Sequence, residues 1–153
     1  HAGGTHAVLV NFETTPEVAA NPAFAAYGHD VAMQIAALNP RFWDKSQVGQ
    51  DVLDEEKKIM MVQMENDPKM ASKPEAVREK IVLGKLNKFY SENCLLQQAF
   101  VKENKISVEK HVAEVAKQLG GKITVKAFTR FQTGEGIEKK EDDFAAEVAS
   151  MIK

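Results

Sequence analysis

The sequence is poor in the residues that build disulfide frameworks and zinc sites. Cys94 is the one cysteine among 153 residues, so no internal disulfide can form. No cysteine or histidine cluster has the spacing of zinc ligands. A chain of this kind is typical of a reducing compartment, and we therefore expect a cytoplasmic protein in which Cys94 is a small buried hydrophobic residue.

Long hydrophobic runs and an excess of one charge are also missing. No stretch approaches the roughly 18 apolar residues of a membrane span, and from the first residues we expect no signal-like leader. The 20 basic and 22 acidic residues give a net charge of -2, and only 7% of residues are aromatic. We therefore expect neither direct nucleic-acid binding nor membrane binding.

Recognisable catalytic chemistry is scarce as well. Gly134 and Gly136 lack the further residues of a phosphate loop, which favours a tight turn before a helix. The carboxylates of residues 138–143 are expected to complement a helix dipole. The histidines share no metal-binding spacing and no nucleophile has a catalytic setting, which predicts a protein that is not an enzyme, with no cofactor and no metal. The four histidines are His1, His6, His29 and His111.

What is present is an ordinary globular composition, with 44% hydrophobic and 27% charged residues. Residues 6–13 alternate weakly and predict a strand. Asn21 and Pro22 then predict the start of an amphipathic helix, which Asn39 and Pro40 end. Its apolar stripe consists of Phe24, Tyr27, Val31, Ile35 and Leu38.

Two charged helices follow and predict an antiparallel helical hairpin that projects as an arm. The first runs from about Ser46 to Glu65, and the turn Asn66-Asp67-Pro68 ends it. The second begins at a capping box formed by Ser72 and Glu75. Methionines near the tip favour packing within the hairpin, although an adaptable binding surface is the alternative. The expected contact residues are Val48, Val52, Ile59 and Val62 on the first helix, and Val77, Ile81, Val82, Leu86 and Phe89 on the second.

The remainder alternates strand and helix. A short strand at residues 99–102 precedes a helix that Ser107 caps and Gly120-Gly121 ends, and a strand at residues 122–131 follows. A terminal acidic helix carries an apolar stripe that would pack either on its own core or on another protein. This order predicts an α+β fold: a small, mostly antiparallel sheet of about three strands, packed helices, a protruding helical hairpin and a C-terminal helix.

Four stretches of the chain are closely similar to the translation elongation factor Ts family. They are HAGGTHAVLV, HDVAMQIAALNPRF, KPEAVREKIVLGKLNKFYSENCLLQQAFVK and TRFQTGEGIEKKEDDFAAEVASM. The resemblance implies a core domain at residues 1–132, with the arm at about 46–92, and a C-terminal helical module at residues 133–153. It also implies a non-enzymatic factor that binds the GTPase EF-Tu and promotes release of GDP during protein synthesis.

Two departures from the family pattern refine this expectation. A Thr-Asp-Phe-Val motif should follow the first strand, but residues 13–18 read Glu-Thr-Thr-Pro-Glu-Val. The resemblance also implies a ubiquitin-associated-like module before the core, and the 153 residues given do not include one. The sequence therefore resembles the second core of a two-core factor, which would anchor EF-Tu rather than disrupt its nucleotide site. The alternative is an arm-bearing scaffold or RNA-associated module, and an isolated core could form a homodimer.

The resemblance to the family also implies which residues of this sequence bind the partner. Those in the core are His1, His29, Asp30 and Val101, and those in the C-terminal module are Ile137, Phe144, Val148 and Met151.

Overall fold

A computed structural model describes residues 4–135, and it confirms the α+β class. The helices are α1 (Pro16–Ala20), α2 (Pro22–Leu38), α3 (Gln50–Glu65), α4 (Pro68–Ala71), α5 (Glu75–Asn93) and α6 (Val108–Leu119). The strands are β1 (His6–Thr14), β2 (Ala99–Phe100), β3 (Glu103–Ser107) and β4 (Ile123–Gln132). In the described range they form two antiparallel pairs, β1 with β4 and β2 with β3.

The β1–β4 pair is the long sheet, and one of its faces is covered. Along β1, half-buried residues alternate with exposed ones, as expected for a strand with one side on the core. The register shifts between Asn11 and Phe12, which leaves Lys126 of β4 without an opposite residue. On the covered face, the Phe12 ring lies 5.4 Å from that of Phe24 and 5.6 Å from that of Tyr27. These aromatic contacts fix α2 across the sheet.

Helix α2 confirms the predicted boundaries and most of the predicted stripe. The Asn21 side chain accepts a hydrogen bond from the Ala23 amide at 3.0 Å, and Pro22 occupies the first turn. Asn39 ends the helix in the left-handed conformation. Tyr27, Val31 and Ile35 are buried in the main core cluster.

The second strand pair was only half predicted. The expected strand at residues 99–102 consists of Ala99–Phe100, and it folds back onto β3, which the sequence did not indicate. Helix α6 confirms its prediction, because Ser107 Oγ accepts from the Lys110 amide at 3.2 Å and Gly120 ends the helix in the left-handed conformation. Strand β4 matches the predicted strand within a residue at each end.

Helices α3 and α5 pack against each other as the predicted hairpin, but the predicted contact residues of α3 are wrong in part. Ile59 and Val62 are 46% and 52% exposed, whereas Met60 and Met64 are 7% and 2% exposed. On α5 the prediction is wrong at Val77, which is 39% exposed. Apolar residues occur all around this helix, so periodicity alone does not select the buried stripe. Methionine fits an irregular gap between two charged helices because its side chain is long and unbranched.

The predicted capping box of α5 is also wrong. Pro74 occupies the N-cap position without a side-chain cap, and the Ser72 hydroxyl donates to the Lys69 carbonyl instead. The preceding turn contains α4, whose cap is Asp67, since its carboxylate accepts from the Lys69 amide at 3.0 Å. The chain therefore makes one extra helical turn before α5 begins.

The arm joins the core through two extended segments that run side by side. Phe42 and Cys94 form a parallel bridge, and the Leu95 amide donates to the Phe42 carbonyl at 2.8 Å. Cys94 is fully buried, as predicted, in a second cluster that extends into the arm. Its burial, together with a smaller effect of the Asp44 charge, raises the pKa of the thiol to about 11. Leu95, the next residue, belongs to the main core cluster, so the two clusters meet here.

The Asp44 carboxylate links the two segments of this junction by hydrogen bonds. It accepts hydrogen bonds from the Ser46 hydroxyl at 2.8 Å and from the Gln97 amide at 2.9 Å. Partial burial raises the pKa of Asp44, but these bonds, with backbone ones, lower it by more, and the pKa lies below its ordinary value.

Two glycines should respond oppositely to alanine. A Cβ on Gly84, within α5, would meet nothing within 4 Å, whereas one on Gly121 would lie 2.5 Å from Val18 Cγ2. We expect Gly84→Ala to raise the free energy of unfolding by about 0.5–1 kcal/mol. Gly121→Ala should lower it by about 1–3 kcal/mol, because the core must shift. Denaturant unfolding measures both, and shifts of the same sign would contradict the packing described here.

Replacing Asp44 tests the junction through its pH dependence. Because the folded pKa is lowered, the carboxylate contributes stability above its unfolded pKa of about 3.9 and loses it as pH falls through the folded value. Asp44→Asn should therefore be less stable than the parent chain at neutral pH, and the gap should shrink below about pH 4. Unfolding at a series of pH values measures it. A gap that stays constant into acid would contradict the account.

Candidate partner-binding site

Three of the predicted partner-binding residues lie on one part of the described structure. His29 and Asp30 are neighbours on α2, and Val101 lies in the two-residue turn between β2 and β3. Val101 is 44% exposed and His29 is exposed, while Asp30 is half-buried. The other predicted residues lie outside the described residues, and they are His1, Ile137, Phe144, Val148 and Met151.

Helix α2 and the β2–β3 turn are joined by a buried chain of hydrogen bonds. The Val101 amide donates to Gln34 Oε1 at 2.8 Å, and Gln34 Nε2 donates to the Ala99 carbonyl at 3.0 Å and to Gln98 Oε1 at 3.2 Å. Gln98 Nε2 then donates to the Glu92 carbonyl at 3.0 Å. Gln34 is 0% exposed and Gln98 is 1% exposed.

An ion pair adds a second link between the same two elements. Lys102 Nζ lies 2.6 Å from Asp30 Oδ1, with side-chain exposures of 56% and 21%. Met33 is 38% exposed and lies one helical turn after His29, on the same face of α2. We use the name α2–turn surface for His29, Asp30, Met33, Val101 and Lys102. It presents apolar side chains beside a charge pair, the mixture that is common at protein interfaces.

A groove of about 450 Å³ lies between α2 and the start of β1. His29 and Met33 line it from the helix side, and Thr5, His6 and Val8 line it from the strand side. The Thr5 hydroxyl lies 2.9 Å from His6 Nδ1. One side of the α2–turn surface is therefore continuous with a shallow concave region.

Among the elements of residues 4–135, none covers the other face of the long sheet, which is a separate apolar feature. Leu9 is 70% exposed and Phe131 is 54% exposed. Leu9 lies opposite Thr129 and Phe131 lies opposite Ala7, so these side chains form one patch on adjacent strands. We call it the open sheet face.

No metal-binding constellation occurs within residues 4–135, where no group of three or more His, Cys, Asp or Glu side chains could hold an ion.

His111 stacks on Phe100 with ring centroids 4.1 Å apart, and burial raises the pKa of Tyr27. Gly134 has a φ of 85°, as expected for a tight turn. In the part of the chain that the structure describes, no helix has the length and hydrophobicity to cross a membrane.

Sequence reasoning missed the residues that position the site. Gln34 interrupts the apolar stripe between Val31 and Leu38, and a polar residue at such a position indicates a buried hydrogen bond. The sequence therefore contained a signal that Gln34 is a buried hydrogen-bonding residue. Lys102 and Gln98 lie in short irregular segments without periodicity, where no sequence pattern indicates their partners.

Comparison of the sequence with known proteins finds matches to one family. The family model described as Elongation factor TS matches residues 1–135. Elongation factor Ts of Clostridium botulinum (strain ATCC 19397 / Type A) is 47% identical over 152 residues, which cover 99% of this chain and 47% of that protein. Elongation factor Ts of Desulforamulus reducens is 43% identical over 154 residues, with 100% of this chain and 69% of that protein covered. The chain thus spans about half the length of the clostridial relative.

Proposed function

The chain belongs to the elongation factor Ts family, and from that premise we propose that it is part of a nucleotide-exchange factor for the GTPase EF-Tu. It acts in the cytoplasm, without enzymatic chemistry of its own, during the elongation step of protein synthesis. Residues 1–132 form the core domain with its arm, and residues 133–153 form a C-terminal module. The single observation that carries the proposal is the family match across the described core.

The role of this chain within such a factor is to anchor EF-Tu. Residues 13–18, which stand where the family carries its Thr-Asp-Phe-Val motif, end β1 and form most of α1. Val18, the one large apolar residue there, is 1% exposed and belongs to the main core. No exposed aromatic side chain is present in this segment to wedge into a nucleotide pocket, which supports anchoring without disruption.

The α2–turn surface is the proposed anchoring surface. Val101 projects from a turn that is bonded to α2, and a contact held in place before binding loses little conformational entropy on binding. In the whole factor, anchoring by this core would add affinity to a separate disruptive contact. The nucleotide and the exchange factor would then weaken each other's affinity for EF-Tu to the same extent, because the coupling is reciprocal.

A second copy of this chain is the proposed occupant of the open sheet face. A two-stranded sheet with one bare apolar side gains stability when another layer covers it. Leu9 and Phe131 supply the apolar area, and the same patch on a second molecule would be self-complementary about a two-fold axis.

Anchoring without disruption predicts binding that barely changes GDP release. With EF-Tu loaded with a fluorescent GDP analogue, we expect saturable binding of this chain and a release rate close to the spontaneous one. Val101→Asp should weaken binding at least about tenfold, since it places an unpaired charge at the contact. Val77→Asp is the matched control, because Val77 is 39% exposed on the arm, and it should bind normally. Strong acceleration of release by the parent chain would refute the division of labour.

Self-association predicts a concentration-dependent mass. Sedimentation equilibrium of the parent chain should fit a monomer–dimer equilibrium, and Leu9→Glu should remain a monomer because charges would face each other across the interface. Leu83→Glu serves as the control, since Leu83 is 61% exposed on the arm. A monomeric parent chain, or equal effects of the two substitutions, would rule out the open sheet face as a dimer contact.

A further inference from the structure

The turn that carries Val101 has no local reason to adopt its shape. Two-residue hairpin turns favour types with positive φ and therefore Asn or Gly. Here the turn residues are Val101 and Lys102, and within residues 4–135 Asn39 is the one non-glycine residue with positive φ. Strand β2 has two residues, and its register with β3 shifts between Ala99 and Phe100. Such a hairpin is too short to be stable alone.

A single side chain of α2 supplies the missing constraint. Gln34 accepts from the Val101 amide at 2.8 Å and donates to the Ala99 carbonyl at 3.0 Å, so it is bonded to one backbone group of the turn and one of β2. Water does not compete for the amide oxygen or nitrogen of Gln34, because the side chain is fully buried. In such surroundings a lost partner leaves a buried polar group unpaired.

The orientation of this side chain is itself determined. Gln98 Nε2 donates to the Glu92 carbonyl, which turns Gln98 Oε1 towards Gln34. Gln34 therefore faces two acceptors, Gln98 Oε1 and the Ala99 carbonyl, with its Nε2 group. Its oxygen must point the other way, to the Val101 amide. The hydrogen bonds run in one direction from the turn to the end of α5.

We infer that Gln34 is a positioning residue, which holds the Val101–Lys102 turn in the conformation that it presents to the partner protein. This inference rests on the proposed function for the identity of the partner. The Asp30–Lys102 ion pair contributes less, because Lys102 is 56% exposed and its charge is screened by solvent.

The test compares two buried glutamines. Gln34→Met removes the acceptor for the Val101 amide. Gln98→Met removes an equally buried amide but leaves that acceptor in place, because the Ala99 carbonyl still binds Gln34 Nε2 and orients the side chain. Methionine has nearly the same length as glutamine, so both changes keep the packing volume. Both variants should unfold at lower denaturant concentration. Only Gln34→Met should speed amide hydrogen exchange at Val101, by about tenfold or more, and weaken EF-Tu binding about fivefold to tenfold.

Equal exchange and binding in the two variants would overturn the inference, since general loosening of the core would then explain both. The parent chain alone gives a further test if Gln34→Met fails to fold. Its Val101 amide should exchange slowly although the residue is 44% exposed, and fast exchange there would overturn the inference. If the parent chain does not bind EF-Tu, the proposed function fails, while the exchange comparison still decides whether Gln34 positions the turn.

Discussion

Two glutamine side chains, Gln34 and Gln98, are buried in this protein, so their hydrogen-bond partners must be other groups of the protein. Their amides connect the middle of α2 with the end of α5, with Ala99 and with Val101. An unpaired buried amide group costs about 1–3 kcal/mol, so these partners cannot move independently without a penalty. The strand pair β2–β3, too short to be stable by itself, is therefore fixed by a helix that packs on the long sheet.

The same linkage relates the arm to the core. The chain leaves the core near Phe42 and returns near Cys94, and these two segments are bonded to each other. On the return, the Glu92 backbone carbonyl accepts from Gln98 Nε2, so the end of α5 is bonded to the buried glutamines before the second strand pair begins. The base of the arm is thus connected to the α2–turn surface through a few continuous hydrogen bonds, although the arm and the core each have their own packing cluster.

Periodicity and capping residues predicted the elements that are regular. Asn21, Ser107 and Gly120 marked helix ends correctly, because each uses a local hydrogen bond or backbone conformation that sequence reveals. The buried stripe of α3 was wrong at Ile59 and Val62, since a helix with apolar residues on several sides does not identify the side that meets its partner. Strand β3 was missed because its residues are mostly exposed and because its partner segment is bonded to Gln34, which is distant in sequence. The site residues came from family resemblance, and geometry then added Gln34, Met33 and Lys102.

The central claim is that the α2–turn surface anchors EF-Tu. The most direct measurement is an amide chemical-shift map of the isotopically labelled chain during titration with EF-Tu bound to GDP. The account predicts that the perturbed amides cluster at residues 29–34 of α2 and at Val101 and Lys102. Perturbations confined to the arm or to the open sheet face, with an unchanged α2–turn surface, would contradict it.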